Sequence, residues 1–308
     1  MQPGQAIVRF RIKKETTVKP PPSQPATERQ FAPPGLYIIA TPIGNLKDIS
    51  LRALDLLQLA DLIVCEDTRV SGKLLSHYGI SKPTLSYNDH NGEERRPKIM
   101  EALETGQRVA LISDAGTPLI SDPGYKLVEE AHARGFYVTT LPGPSSVMAA
   151  LCLAGLPTDR FLFAGFLPAK QEACRKELQA LAHVPATLVL FESARRLCDS
   201  LPLLVETLGN RNAAVVREIT KLYEECRRGT LLELTAHYAA EGEPKGEVVL
   251  VIGPPLAAET SEAEMEAKLR LLLASHSVKE AASILAEETG KPRKQLYTLA
   301  LQLMDKNP

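Results

Sequence analysis

Several signatures are missing from this chain, and each absence narrows what it does. Its five cysteines, Cys65, Cys152, Cys174, Cys198 and Cys226, are odd in number and widely spaced, and no two form a CxxC pair. Neither a disulfide framework nor a zinc site is indicated, and a reduced cytoplasmic protein is the simplest expectation. The six histidines show no ligand spacing, and no metal is expected. No apolar run reaches transmembrane length, and no signal-peptide pattern opens the chain, so no membrane partner is expected. Net charge is −1 over 308 residues, so bulk charge speaks neither for nor against nucleic acid. Any RNA binding has to come from local basic patches. The GxGxxG, P-loop, GxSxG and HExxH signatures are absent, which leaves a dinucleotide dehydrogenase, an NTPase, an elbow-type serine hydrolase and a zincin without support.

What is present is a chain 44% hydrophobic and 24% charged, enough for a real core and two domains. Residues 1–34 stand apart. They hold Pro3, Pro20, Pro21, Pro22, Pro25, Pro33 and Pro34 and are expected to form a disordered tail. Within them AIVRFRI is an edge strand, or the segment is a basic RNA-contacting arm or a passive tail. From Gly35 apolar runs alternate with helical patterns. The strands expected are Leu36–Thr41, Leu62–Cys65, Thr84–Tyr87, Val109–Ile112 and Tyr137–Leu141. Between them fall helices through Leu59, over Val70–Tyr78, over Arg96–Glu104 and over Tyr125–Arg134. That alternation argues an α/β fold with a largely parallel sheet covered on both faces.

After the junction Leu141-Pro142-Gly143-Pro144-Ser145-Ser146 a second block repeats the texture. Its expected strands are Phe161–Ala164, Thr187–Phe191, Ala213–Val216 and Glu247–Ile252, with helices between them. Beyond Gly253 only helix patterns remain. A helix, a turn at Gly290 and a second helix entered by Lys291, Arg293 and Lys294 give a helix-turn-helix pattern. It is either a nucleic-acid-binding module or a packing module with a solvated basic end. The expected division is 1–34 tail, 35–143 N-terminal α/β domain, 144–256 C-terminal α/β domain and 262–308 helical module.

The stretch Leu111–Gly124, LISDAGTPLISDPG, organises the rest. A short buried strand breaks into a tight loop and then a helix, the place where α/β proteins put ligands; the alternative is an ordinary strand-to-helix turn. Other strand-end loops follow the same plan: TPIGN at 41–45, CEDTR at 65–69, LPGPSS at 141–146, FES at 191–193 and Arg217-Glu218. Charged residues directly after buried strands need a partner or a ligand, so Glu66, Asp67 and Arg69 either pair with one another or serve a site.

These loops resemble one family. YIIATPIGNLKDIS, CEDTR, LISDAGTPLISDPG, LPGPSS, AGFLP, FESARRL, REITKLYEE and GEPKGEVVLVI, in this order, are similar to the small-subunit ribosomal RNA cytidine 2′-O-methyltransferase I family of the tetrapyrrole-methylase superfamily. The resemblance spans about Gly35–Gly253 with a family-type helical tail. Residues 1–34 depart from it.

The resemblance implies a two-domain tetrapyrrole-methylase (class III methyltransferase) fold with a C-terminal helical module, usually as a homodimer. It implies S-adenosylmethionine as cofactor, bordered by Pro42, Ile43, Asp114, Gly116, Thr117, Ser145, Ser146, Phe191 and Arg217. The implied activity is 2′-O-methylation of a cytidine ribose in 16S rRNA near the decoding centre of the small ribosomal subunit. A tetrapyrrole methyltransferase and a non-catalytic ribosome-binding module are the alternatives. Methyl transfer to a ribose hydroxyl profits from a base or an alkoxide-stabilising cation. Glu66, Asp67, Arg69 and His90, then Glu192 and Arg217, are the candidates. Arg195-Arg196, Arg227-Arg228 and Lys291, Arg293 and Lys294 are the candidate RNA contacts.

Overall fold

The computed structural model describes residues 32–255, 262–289 and 291–305. They fall into two compact units, 32–181 with 186–253, and 182–185 with the residues from Pro254 on. The edge-strand alternative for AIVRFRI and the tail expected over 1–31 lie outside the described residues.

The first unit begins with β1 (Gly35–Ile39), α1 (Leu51–Leu59), β2 (Leu62–Cys65), α2 (Thr68–His77), β3 (Thr84–Ser86), α3 (Gly92–Glu104), β4 (Arg108–Ile112), α4 (Tyr125–Ala133) and β5 (Val138–Leu141). The strands form one five-stranded sheet in the order β3-β2-β4-β1-β5, with every neighbouring pair parallel. β4, which leads into the LISDAGTP loop, is its middle strand. Strand alternation divides the core between two faces. Tyr37, Ile39, Ala110 and Ile112 pack with Leu57 of α1 and Leu75 of α2. Leu36, Val109 and Leu111 pack with Ile99 and Leu103 of α3 and Leu127 of α4. The parallel sheet covered on both faces is therefore as the sequence reads. Ser50 caps α1, its hydroxyl accepting from Ala53 N at 3.1 Å.

The described residues begin three positions before Gly35. Ala32 is buried in the core, its carbonyl accepts from Arg108 Nε at 2.9 Å, and Pro33 O accepts from the Tyr37 hydroxyl. Ala32 and Pro33, which the sequence groups with the tail, thus pack and bond against the first half of the unit.

The chain continues through α5 (Ser146–Ala154), β6 (Phe161–Phe166), α6 (Gln171–Leu181), β7 (Thr187–Ser193), α7 (Leu197–Leu208), β8 (Asn212–Arg217), β9 (Glu225–Thr230), α8 (Leu231–Glu241) and β10 (Glu247–Ile252). The second sheet runs β6-β7-β10-β8-β9. Only β6 and β7 are parallel; β7–β10, β10–β8 and β8–β9 are antiparallel. The sequence missed β9, because Glu-Cys-Arg-Arg-Gly-Thr carries no apolar alternation and the strand holds its place by pairing along β8. α5 covers part of one face, with Val147, Ala150, Leu151 and Ala154 against Val189, Ala214, Val216 and Val251. Ile43, from the loop after β1, is buried in this second core.

In the second unit α9 (Glu262–Leu273), α10 (Val278–Thr289) and α11 (Arg293–Asp305) close around Leu269, Ala281, Leu285, Leu296, Ala300 and Leu303. Ser277 and Glu280 form a capping box at the start of α10.

Candidate functional site

The loops after β1, β2, β4 and β5 meet at the carboxyl edge of the first sheet, and the central loop ties them together. Thr41 and Gly116 exchange backbone bonds: Thr41 N donates to Gly116 O at 2.8 Å and Gly116 N to Thr41 O at 3.0 Å. Thr41, fully buried, also donates its hydroxyl to Ser113 O at 2.9 Å. Thr117 Oγ1 donates to Pro144 O at 3.1 Å. The Asp114 carboxylate accepts from Asp67 N at 3.3 Å and from Ser71 Oγ at 3.4 Å. Ser113 Oγ donates to the Asp122 carboxylate, closing the loop on itself.

Gly116 is required here. Its φ is +88°, and a Cβ would meet Ile43 Cγ2 at 3.3 Å. Leu119 and Ser121 hold φ of 73° and 61° in the same loop, and Glu218 and Thr220 hold 50° and 66° in the loop after β8. These are the non-glycine residues with positive φ among the described residues, and both loops border one cleft. Such strain costs about 1–2 kcal/mol per residue and persists where the surroundings over-determine it. The loop after β8 also packs against the loop after β1, bracing the halves of the unit. A Cβ on Gly44 would lie 2.5 Å from Lys221 Cγ, and Lys221 Nζ reaches both Glu218 and Glu247 at 2.9 Å.

The cleft has a volume of about 1010 Å³. The first half contributes Ile43, Asp114–Thr117 and Ile120–Asp122, and the entry to α5 contributes Ser145–Val147. The second sheet contributes Phe166, Phe191–Arg195, Ile219 and Glu243–Val249. Seven residues expected around the cofactor, Ile43, Asp114, Gly116, Thr117, Ser145, Ser146 and Phe191, line it together. Pro42 and Arg217 are not in its lining. Pro42 is buried beside Ile43. Arg217 donates to Lys245 O at 2.9 Å and pairs with Glu225 at 3.0 Å. Ile120, Asp122, Phe166, Ile219 and Lys245 were missed. The ISDPG turn and the AGFLP, REITKLYEE and GEPKGEVVLVI motifs hold Asp122, Phe166, Ile219 and Lys245.

None of Glu66, Asp67, Arg69 and His90 lines the cleft. Asp67 caps α2 and is locked to Arg69, with Nη2 at 2.6 Å from Oδ2. The hydrogen bonds from Arg69 hold Asp67 down to about 2. Glu66 borders a small side cavity of about 10 Å³ with Tyr87, Ser113 and Asp122. Burial, then the Asp122 and Asp114 charges, raise its pKa. His90 is exposed in the turn before α3. Glu192 is at the cleft with its carboxylate already bonded, by Ser200 Oγ at 2.5 Å and Ser193 N at 2.8 Å. Burial raises the pKa of both Asp114 and Asp122, the latter shared by the cleft and the side cavity.

The cationic doublets divide. Arg195 lines the cleft, exposed. Arg196 donates to Leu167 O at 3.1 Å and Pro168 O at 2.9 Å, Arg227 pairs with Glu225 at 2.9 Å, and Arg228 donates to Gly155 O at 3.2 Å. Arg293 and Lys294 are exposed and Lys291 half-exposed where α11 begins.

Comparison with known proteins agrees with this architecture. Residues 35–235 match the family described as Tetrapyrrole (Corrin/Porphyrin) Methylases, and residues 259–304 match the RsmI C-terminal HTH domain. Among curated relatives, Ribosomal RNA small subunit methyltransferase I of Mesorhizobium japonicum is 53% identical over 273 residues, covering 88% of this chain and 93% of the relative. Its namesake from Erythrobacter litoralis is 52% identical, covering 88% and 95%. Among solved structures, diphthine synthase superposes with a TM-score of 0.55 at 18% identity, covering 71% of this chain and 89% of that one. Uroporphyrin-III C-methyl transferase from Thermus thermophilus, complexed with S-adenyl homocysteine, gives 0.50 at 20%, covering 71% and 97%. At such identities the superpositions carry the fold, and the relatives carry the family. The chain thus belongs to the ribosomal RNA small subunit methyltransferase I family, on a tetrapyrrole-methylase fold extended by that family's C-terminal helix-turn-helix domain.

Proposed function

We propose that this protein transfers a methyl group from S-adenosylmethionine to the ribose 2′-oxygen of a cytidine in 16S rRNA, near the decoding centre of the small ribosomal subunit. The observation that carries the proposal is the cleft, where seven of the residues that the family resemblance assigns to the donor stand around one cavity. Its size and chemistry fit such a donor. Sites for small molecules run to about 300–1,000 Å³ and are mostly apolar with a few placed polar groups. Ile43, Val147, Phe191 and Val249 offer apolar wall; the backbone of Ala115–Thr117, the hydroxyls of Ser145 and Ser146 and the Asp114 carboxylate offer polar contacts. Gly116 keeps the central loop low, where a Cβ would crowd Ile43.

When bound, S-adenosylmethionine supplies an electrophilic methyl group on sulfur. The protein's own part is positioning, which accounts for a large share of catalysis in displacements of this kind. The braced loops fix the cleft walls, and the apolar lining excludes water. Proton removal from the ribose hydroxyl falls to a carboxylate at the cleft. Asp122 suits that role better than Glu66, Asp67, Arg69 or His90, because it reaches the cavity and burial shifts its pKa upward, the direction a base working near neutrality needs.

The family resemblance also supports a homodimer and a cytoplasmic location; among the described residues no helix is long and apolar enough to cross a membrane. The division into α/β halves at 35–143 and 144–256 is supported by the separate sheets on either side of Gly143. Mass mapping of ribose methylation in small-subunit RNA, from a deletion strain and its complement, tests the activity. One 2′-O-methylcytidine lost on deletion and restored on complementation is expected. An unchanged map refutes the proposal.

A further inference from the structure

The end of the cleft nearer the second sheet carries side chains that donor binding does not explain. Phe166 is 61% exposed although it stands in the cleft wall. A register shift between Phe163 and Gly165, with Gly165 at φ +68°, ends β6 irregularly just before it. Bulges of this kind re-aim a side chain. Its ring is nevertheless held, edge to face with Phe191 at 5.3 Å between centroids.

Two cations stand at the same edge. The last couple of the β7–β10 ladder is Ser193 with Glu247. Arg195 lies two residues past Ser193 and Lys245 two residues before Glu247, so both leave the ladder at the same level. Both are exposed, and they are the basic residues of the cleft lining. Among the described residues neither side chain forms an ion pair or a hydrogen bond. The surrounding cations are occupied: Arg196 by carbonyls of 167 and 168, Arg217 and Arg227 by Glu225, Arg228 by Gly155 O, and Lys221 by Glu218 and Glu247. Of the rim carboxylates Glu247 is thereby paired, which leaves exposed Glu243 against the two cations.

An exposed, immobilised aromatic beside two free cations is how proteins hold a single-stranded nucleotide, the ring stacking a base and the cations meeting phosphate. Resting on the proposed function, we infer that Phe166, Arg195 and Lys245 form the acceptor end of the cleft: Phe166 stacks an unpaired RNA base, and Arg195 with Lys245 grips the flanking phosphates. A duplex cannot present a base to that ring, so the RNA taken here is locally unpaired. The doublets Arg195-Arg196 and Arg227-Arg228 then contribute one RNA contact, Arg195, and Lys245, outside the candidate RNA contacts read from the sequence, supplies the second.

The test uses the purified full-length chain and small ribosomal subunits that lack the methyl group. Donor affinity is read by calorimetry with S-adenosylmethionine, and KM, kcat and their salt dependence by methyl transfer. For Phe166→Ala the subunit KM should rise about tenfold or more, with Phe166→Tyr recovering most of it. For the Arg195→Gln, Lys245→Gln double variant the KM should rise and the salt slope should shrink by about two. Donor affinity should match the parent in every variant; the melting temperature should match it in the double cation variant and fall by only a few degrees in Phe166→Ala, which loses the ring contact with Phe191. An unchanged KM and salt slope would overturn the inference. So would a drop in donor affinity in Phe166→Ala as large as its rise in KM, which would make the ring part of the donor wall. A parent chain that binds no S-adenosylmethionine or transfers no methyl group refutes the proposed function and this inference with it; a working parent with unaffected variants refutes this inference alone.

Discussion

Gly116 is the residue at which backbone conformation and the cleft meet. It combines φ +88°, two backbone bonds to Thr41 and a 3.3 Å limit on any Cβ. Gly116→Val should lower S-adenosylmethionine affinity at least tenfold while costing about 1–2 kcal/mol of stability, the scale of forcing a side chain into left-handed backbone. Calorimetry and thermal melting read the two effects separately; parent-like affinity would remove Gly116 from the site. Asp122 gives a prediction of opposite sense. Its folded pKa lies above that of the unfolded chain because burial disfavours the charge. The folded state therefore holds its proton longer, and parent stability falls as pH rises through that window. Asp122→Asn keeps an acceptor for Ser113 but has no charge to bury. The variant should be more stable than the parent at neutral pH, the difference should vanish in acid, and methyl transfer should drop. A variant less stable at neutral pH would contradict the assignment. Gly116 was legible because glycine, proline and aspartate follow an apolar run. Asp122 lay in plain view in the next turn, but only the folded loop shows that it reaches the cavity.

Among the elements, β4 is the one the others are built around, and the alternation of Leu111 and Ile112 onto opposite faces was readable from its apolar run. Leu111→Ala should destabilise the chain by about 2–5 kcal/mol, the range for large-to-small changes in a packed core; chemical denaturation measures it. β9 was not readable, and neither was the pairing of Arg217 at the end of β8 with Glu225, because that partner belongs to a strand without apolar pattern. α3 misled in another way. The pattern was read over Arg96–Glu104, yet the helix runs back to Gly92 and carries Pro97 inside it. The contacts of Ala32 and Pro33 were not readable either, because the two resemble the proline-rich residues before them and are distinguished only by what they touch. Removing residues 1–31 should leave stability unchanged. Removing 1–34 should cost about 1–3 kcal/mol through the orphaned Arg108 and Tyr37 donors. Equal stability of the two truncations would contradict a stabilising role for Ala32 and Pro33.

At the scale of the molecule, the cleft is sized for a small donor and an RNA substrate is far larger, so the RNA needs to be gripped beyond it as well. Lys291, Arg293 and Lys294 at the start of α11 are the proposed further grip. Replacing all three with alanine should weaken subunit binding and reduce its salt slope by up to about three, one for each phosphate no longer neutralised, with donor affinity unchanged. Unchanged subunit affinity and slope would make the helical unit a packing module. The most direct test of the proposed activity is methyl transfer in a purified system: the full-length chain, S-adenosylmethionine labelled in its methyl group, and small ribosomal subunits lacking the modification. After nuclease digestion and nucleoside mass spectrometry, the label should appear in 2′-O-methylcytidine at one position of 16S rRNA. Label in a base, in another nucleoside, or in no RNA at all would contradict it.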